Sequence, residues 1–376
     1  MRALILAGGE GTRLRPLTLT RPKPAMTLVD RPFIAYMVDW VGRHGITDVV
    51  VACGFGSDAV RAALDDGRRA TTRIAYVEEP EPLGTAGPLR LAADRGLLDD
   101  RFLVLNGDLL ADLDLSALLR VHEERGAVAT LALHEVGDPS SYGLVRRANG
   151  PTAPGARPTG NGGEVLEFLE KPGLAEVDTD EVNAGAYVLE PSVIDLIPRG
   201  RMFSIEREVF PRLVGRGLYG HRLDGYWMDV GTPERYLDAS WDVLEGRVRT
   251  EVGDRLDGTG LLVAEAGGVD PGASVRPPAL LDAGVAVGTG AAVGPRAVIA
   301  TGSVIGERAR VVSSVVLGDC RIGAEADVQQ SILAPAVVVG EGARIQPGSV
   351  IGEGARIEPG ADIEPGSRVD PGGVAA

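Results

Sequence analysis

The chain has 376 residues, 44% of them apolar, which is enough for two domains with real cores, and it carries a net charge of -15. That excess of acid excludes a nucleic-acid or anionic-membrane partner, which needs a basic face, and leaves any phosphate chemistry to a few local cations. Cys53 and Cys320 match no metal or redox spacing and read as buried thiols of a reduced compartment; no run suits a signal peptide or a membrane span, so a soluble cytoplasmic protein is expected.

From Met1 to about Tyr236, short aliphatic runs alternate with helical segments, the pattern of an α/β domain. The first predicted strand, Ala3 to Leu6, runs into Gly8-Gly9-Glu10-Gly11-Thr12-Arg13. Glycines there let backbone N–H groups approach a phosphate, and Arg13 adds a forked cation at the carboxyl end of a strand, where open α/β sheets bind ligands. Gly-Gly-x-Gly alone marks a plain tight turn nearly as often, and it is neither the Walker nor the dinucleotide pattern. A helix is predicted from Pro32 to Gly45, with Phe33, Ile34, Met37, Val38 and Val41 on one face. Further strands are expected at Val49 to Ala52, Ile74 to Val77, Phe102 to Leu105, Val128 to Leu133, Val165 to Leu169 and Gly185 to Leu189. Ala148 to Gly163, rich in Gly, Pro and Thr, reads as a mobile surface loop between strands.

Of the 38 basic residues only two are lysines, Lys23 and Lys171, and both precede proline. Coding bias explains a shortage of lysine. It does not choose the survivors. A tight pocket that sets one compact ammonium against a phosphate oxygen resists exchange for a planar guanidinium. A residue before proline is also biased toward extended backbone, aiming its side chain away from helical packing.

Beyond about Val269 the period becomes six. Val269, Val275, Leu281, Val287, Val293, Ile299, Ile305, Val311 and Leu317 fall at strict intervals, as do Leu333 to Val369. Ile322 and Val328 bridge the two runs, with five-residue steps from Leu317 to Ile322 and from Val328 to Leu333. Glycine follows three residues later at Gly272, Gly284, Gly290, Gly302, Gly342, Gly348, Gly354, Gly360 and Gly366, where a corner needs a permissive backbone. This hexad pattern predicts a β-helix of the left-handed hexapeptide-repeat kind, reached through a helical connection at Pro233 to Val248 that packs the two halves together. The expected division is a catalytic domain over 1–235, a connecting helix and linker over 236–260, and the β-helix over 261–376.

Together the glycine loop, Pro22-Lys23-Pro24, Pro82-Leu83-Gly84-Thr85-Ala86-Gly87, Asn106-Gly107-Asp108, Glu170-Lys171-Pro172, Asn183-Ala184-Gly185 and Trp227-Met228-Asp229-Val230-Gly231-Thr232-Pro233 resemble the sugar-nucleotide pyrophosphorylases, nucleotidyltransferases acting on sugar 1-phosphates. The resemblance covers essentially the whole chain and is strongest to the mannose-1-phosphate guanylyltransferase branch with a carboxyl-terminal β-helix. One departure is Thr27, where relatives commonly carry proline. The resemblance implies a Rossmann-like domain with a mixed, mostly parallel sheet. It implies that Gly8, Gly9, Gly11, Thr12, Arg13, Gly84 and Thr85 hold a nucleoside triphosphate and Lys23 its phosphates. Asp108 and Asp229 would bind Mg²⁺; Gly143, Glu170 and Asn183 would hold sugar hydroxyls, and Lys171 the sugar phosphate. Two carboxylates suit a hard cation that keeps waters and bridges phosphate oxygens, although Asp108 alone serves equally as a helix cap and Glu170 as a surface partner of Lys171.

For the base, Glu79 is nominated. A carboxylate only accepts, and guanine's Watson–Crick edge offers two adjacent donors, N1–H and the 2-amino group. An exposed loop carboxylate beside Pro80 explains the same residue. The expected reaction is Mg²⁺-dependent transfer of a guanylyl group from GTP to mannose 1-phosphate, giving GDP-mannose and pyrophosphate. The alternatives are a glucose-1-phosphate thymidylyl- or uridylyltransferase, a heptose-1-phosphate guanylyltransferase, and a non-catalytic subunit that senses nucleotide sugars. An acyltransferase β-helix is disfavoured because no histidine follows His221. His44, His122, His134 and His221 read as structural, and a homo-oligomer is expected.

Overall fold

The computed structural model describes residues 1–65, 71–173, 176–264 and 267–376. They form two compact units, residues 1–9 with 37–227, and residues 10–36 with 228–376.

In the first unit, β1 (Arg2–Ala7), β2 (Asp48–Cys53), β3 (Arg73–Glu78), β4 (Phe102–Asn106), β5 (Ala129–Glu135), β6 (Gly143–Arg147), β7 (Gly162–Glu170), β8 (Glu181–Leu189) and β9 (Leu218–Arg222) make one sheet in the order β3-β2-β1-β4-β8-β5-β9-β7-β6. The sheet is less parallel than expected. Parallel pairing is confined to β3, β2, β1 and β4 and to the β5–β9 pair, while β8 and β7 run antiparallel to their neighbours. The hydrophobic runs announced β1 to β5, β7 and β8. They did not announce β6 and β9, whose Arg146, Arg147, His221 and Arg222 break the aliphatic pattern.

The core of this unit gathers Leu4, Val50, Val77, Phe102, Val104, Leu131 and Tyr187 with the helices that cover the sheet, including the helix Gly87–Asp94. α1 (Phe33–Arg43) is buried on nearly every side, Ala35, Tyr36 and Trp40 as fully as the five residues assigned to one face. Cys53 is buried, and burial pushes its thiol up to about 12. The loop from 148 to 161 is tied at several points, by Arg147 Nη1 to Gly160 O (2.8 Å), Gly155 N to Asp180 Oδ2 (2.7 Å) and Thr159 N to Asn149 O (3.0 Å). Among the described residues, no helix is long and apolar enough to cross a membrane.

In the second unit, strands of two or three residues stack into three parallel sheets. One runs from Leu261–Val263 to Arg368–Val369, one from Gly268–Val269 to Val374–Ala375, and one from Ser274–Val275 to Asp362–Ile363. This is the left-handed β-helix that the hexads predict. Its core is the inward column Leu281, Val287, Val293, Ile299, Ile305 and Val311, continued by Ile345, Ile351 and Ile357.

The register differs from the sequence reading at one step. Ile299 pairs with Val316, and Val316 with Leu333, so Val316 points inward in place of Leu317 and the first five-residue step falls between Val311 and Val316. Three consecutive aliphatics, Val315-Val316-Leu317, hid this. Eight of the nine expected corner glycines have left-handed φ; Gly272 does not, and Arg296, Arg308, Ser313, Asp319, Glu325, Gln330 and Ala336 take that conformation without being glycine. The helix Pro233–Leu244 belongs to this unit, where Arg296 binds Glu245 Oε1 (2.6 Å) and lies over the Trp241 ring. In the same unit the Tyr236 hydroxyl donates to Thr27 O, and Arg31 binds Glu251 (2.6 Å).

One buried ion pair tests the antiparallel half of the sheet. Arg147 holds Glu181 through two bonds (2.8 and 2.6 Å), with both side chains fully buried. Removing one partner strands the other charge, so Glu181→Gln should lower unfolding free energy by about 3–5 kcal/mol in urea. A loss below about 1 kcal/mol, the range of exposed pairs, would contradict that role.

Candidate active site

At the carboxyl edge of the first unit, Ala7 pairs with Cys53 and Cys53 with Glu78. The residues that follow, Gly8, Gly54 and Glu79, therefore leave the sheet together. Glu79 N donates to Cys53 O (2.9 Å), and Glu79 Oε2 accepts from Leu83 N (3.0 Å). A β-carbon on Gly8 would collide with Glu79 Oε1, and one on Gly54 would stand 3.1 Å from Gly8 O. Glycine at position 8 thus permits the approach of the carboxylate. Glu79 is half-buried, not an exposed loop side chain, and burial raises its pKa above the usual glutamate value. Among the described residues, none beyond its chain neighbours has an atom within 4 Å of the β-carbon position of Gly9.

Gly84 has φ 73°, and a β-carbon there would meet Phe203 O at 2.6 Å. The Thr85 hydroxyl donates to Glu206 Oε2 (2.6 Å) and accepts from Ile205 N (2.9 Å), which fastens the Gly84 loop to the 203–206 segment.

A second group forms where β7 ends and β6 and β8 begin. Gly143 pairs with Glu170, and a β-carbon on Gly143 would stand 2.8 Å from Glu170 Oε2. Burial, then the charge of Glu206, raises the Glu170 pKa, and Lys171 opposes them. Asn183 Nδ2 donates to Tyr187 OH (2.8 Å), and its Oδ1 accepts from Gly185 N (3.0 Å), which leaves one N–H and one lone pair for another partner. Beside Gly185, Asn106 Oδ1 is buried and takes no hydrogen bond from a described residue. Sequence reasoning missed Asn106 and Glu206; the first stood in a quoted motif, and the second had no signal. Trp227 Nε1 donates to Ala184 O (2.8 Å), with Tyr142 and His134 packed on its ring.

Asp108 is half-buried beyond β4, where Gly107 is needed because a β-carbon would strike Leu6 O. Both lysines depart from the extended backbone expected before proline. Lys171 has φ 52°, and Lys23 opens a 3-10 turn, Lys23–Ala25; the strand end and the turn's own hydrogen bond, Met26 N to Lys23 O (3.1 Å), override the local bias. Of the histidines, His44 meets Ser116, His122 lies between Thr130 and Glu190, His134 meets Leu223 O, and His221 stands against Gly162.

In the second unit, Gly11 (φ 62°) heads a short 3-10 turn, Thr12–Leu14, whose Thr12 and Arg13 are exposed. Thr18 Oγ1 donates to Gly11 O (2.9 Å), and the β-carbon of Lys23 lies 3.3 Å from the β-carbon position of Gly11. Gly231 makes room for two charged groups: Arg13 Nη2 and Asp229 Oδ1 lie 2.7 and 3.0 Å from where its β-carbon would be. Arg235 Nη1 donates to Asp229 O (3.2 Å) and stands 3.6 Å from Asp229 Oδ2. Among the described residues, no three His, Cys, Asp or Glu side chains form a closed metal cage. One or two carboxylates without a cage is a donor set that fits Mg²⁺ completed by water and substrate phosphates.

Gly231→Ala should push the Arg13 guanidinium aside and lower turnover by at least about tenfold with the fold intact by circular dichroism. Wild-type turnover would show that Arg13 has no fixed task there.

Residues 2–246 match the nucleotidyl transferase family, and residues 275–371 match the GMPPB C-terminal domain. A mannose-1-phosphate guanylyltransferase of Mycobacterium tuberculosis is 38% identical over 287 residues, 74% of this chain and 72% of that protein. A mannose-1-phosphate guanyltransferase of Yarrowia lipolytica is 40% identical over 64% of this chain, a match that spans 63% of the yeast protein. Among solved structures, apo UDP-glucose pyrophosphorylase is alike in fold with a TM-score of 0.57 at 18% identity, over 66% of this chain and 99% of that one. HddC from Yersinia pseudotuberculosis follows at 0.52 and 24%, over 64% and 97%. With a family match over well over half its length, the chain belongs to the nucleotidyl transferase family.

Proposed function

We propose that the protein transfers a guanylyl group from GTP to mannose 1-phosphate, releasing pyrophosphate and forming GDP-mannose. The observation that carries the choice of base is the Glu79 carboxylate against Gly8 of the opening loop. Ionised, it accepts from guanine N1–H and the 2-amino group; thymine or uracil would set two carbonyls beside the same charge. The names of the bacterial and yeast relatives support the same base and the same sugar.

In this reading a sugar-phosphate oxygen attacks the α-phosphorus in line. The bond from that phosphorus to the bridging oxygen breaks, and pyrophosphate leaves with the electron pair. The protein's part is to orient two polyanions and offset their charge. Gly8, Gly9 and Gly11 admit the triphosphate to backbone N–H groups, Arg13 and Lys23 bind its oxygens, and Lys171 binds the sugar phosphate. Gly143, Glu170 and Asn183 take the sugar hydroxyls, Asn183 with the donor and acceptor it has to spare. Asp108 and Asp229 would hold Mg²⁺, which when bound neutralises phosphate charge.

Residues 1–235 carry the chemistry in this account. The β-helix over 261–376, which has no histidine, serves assembly of copies or regulation, and two buried thiols suit a cytoplasmic location.

A matrix of GTP, dTTP, UTP and ATP against mannose, glucose and heptose 1-phosphates, read by pyrophosphate release, should give GTP with mannose 1-phosphate as the best pair. Glu79→Gln should shrink the guanine preference. Because burial raises the Glu79 pKa, the wild-type preference should be full above that pKa and fall as pH drops through it, at higher pH than for an ordinary glutamate. A wild type favouring dTTP or UTP would overturn the base assignment.

A further inference from the structure

Phe55 is 57% exposed, and among the described residues it is the one aromatic among the exposed large apolar side chains. Its position makes that exposure informative. It follows Gly54, whose α-carbon stands so close to the opening loop that a β-carbon would lie 3.1 Å from Gly8 O. It precedes Gly56, which has φ 71° and heads α2 (Ser57–Leu64). Phe55 is therefore held between one glycine required by close approach and one required by conformation. The backbone is fixed at the carboxyl end of β2 while the ring remains in solvent. On the neighbouring strand, Glu79 N is bonded to Cys53 O (2.9 Å), so Gly8, Phe55 and Glu79 share one edge of the sheet.

A carboxylate on the Watson–Crick edge selects a base in its own plane and does nothing to its faces. An aromatic ring does the complementary task, because every base has a π-face and stacking tolerates sequence. We propose that Phe55 stacks on the nucleobase of the bound triphosphate, so that it sets affinity for the nucleoside while Glu79 sets which base is preferred. The choice of guanine rests on the function proposed above; the stacking role does not.

The test is a split of kinetic constants in Phe55→Ala, taken in both directions. The KM for GTP, and in reverse for GDP-mannose, should rise between about fivefold and about 150-fold, the range of one aromatic stack. The KM for pyrophosphate and kcat should not change, since neither involves the base face. Phe55→Trp should restore the GTP KM, and the added indole emission should be quenched by GTP and not by pyrophosphate. An unchanged GTP KM in Phe55→Ala, a pyrophosphate KM rising in parallel, or an unquenched Phe55→Trp would each overturn the stack. If the wild type prefers another triphosphate, the guanine reading fails, and the same comparison run with that triphosphate still decides the role of Phe55.

Discussion

Three parallel strands end in step. With Ala7, Cys53 and Glu78 side by side, the next residue on each is committed to the same edge, and the chain uses the three positions for two glycines and a carboxylate. A β-carbon at position 8 would displace the Glu79 carboxylate from its place, and one at position 54 would press on Gly8 O. A one-residue slip of β3 would turn the Glu79 side chain to the opposite face of the sheet. Packing of Leu4, Val50, Val77 and Val104 in the core fixes that register, so the core and the proposed base pocket are one construction.

The second constraint is charge. A chain of net charge -15 repels the polyanions its family acts on, so each cation near them needs a defined position. The structure spends glycines to provide such positions. Gly231 leaves room for Arg13 and Asp229, Gly11 lies against the stem of Lys23, and Lys171 adopts a left-handed backbone at the end of β7. At that end of the sheet, burial and then the neighbouring Glu206 raise the Glu170 pKa, with Lys171 opposing them.

Much of this was legible in the sequence, because hydrophobic period and turn chemistry are local. The hexads gave the β-helix, and the glycine loop and its companion motifs gave the family. What escaped was set by partners distant in sequence. Three adjacent aliphatics hid the inward choice of Val316, which pairing with Ile299 and Leu333 decides. β6 and β9 carry arginines that a strand pattern does not predict; Arg147 is there because Glu181 is buried opposite it. The bonds of the Thr85 hydroxyl to Glu206 and Ile205 join segments about 120 residues apart and had no local signal. Backbone bias before proline failed at both lysines, since strand and turn hydrogen bonds outweigh a local preference.

The central claim is that the phosphate contacts at positions 23 and 171 require a compact ammonium, which a guanidinium does not replace, in a chain whose other 36 basic residues are arginines. Turnover of Lys23→Arg and Lys171→Arg, measured by pyrophosphate release at saturating substrates, tests it most directly. Each variant should lose at least about tenfold, or roughly 1.4 kcal/mol of transition-state stabilisation. Wild-type rates in both would contradict the account and leave the two lysines as accidents of composition.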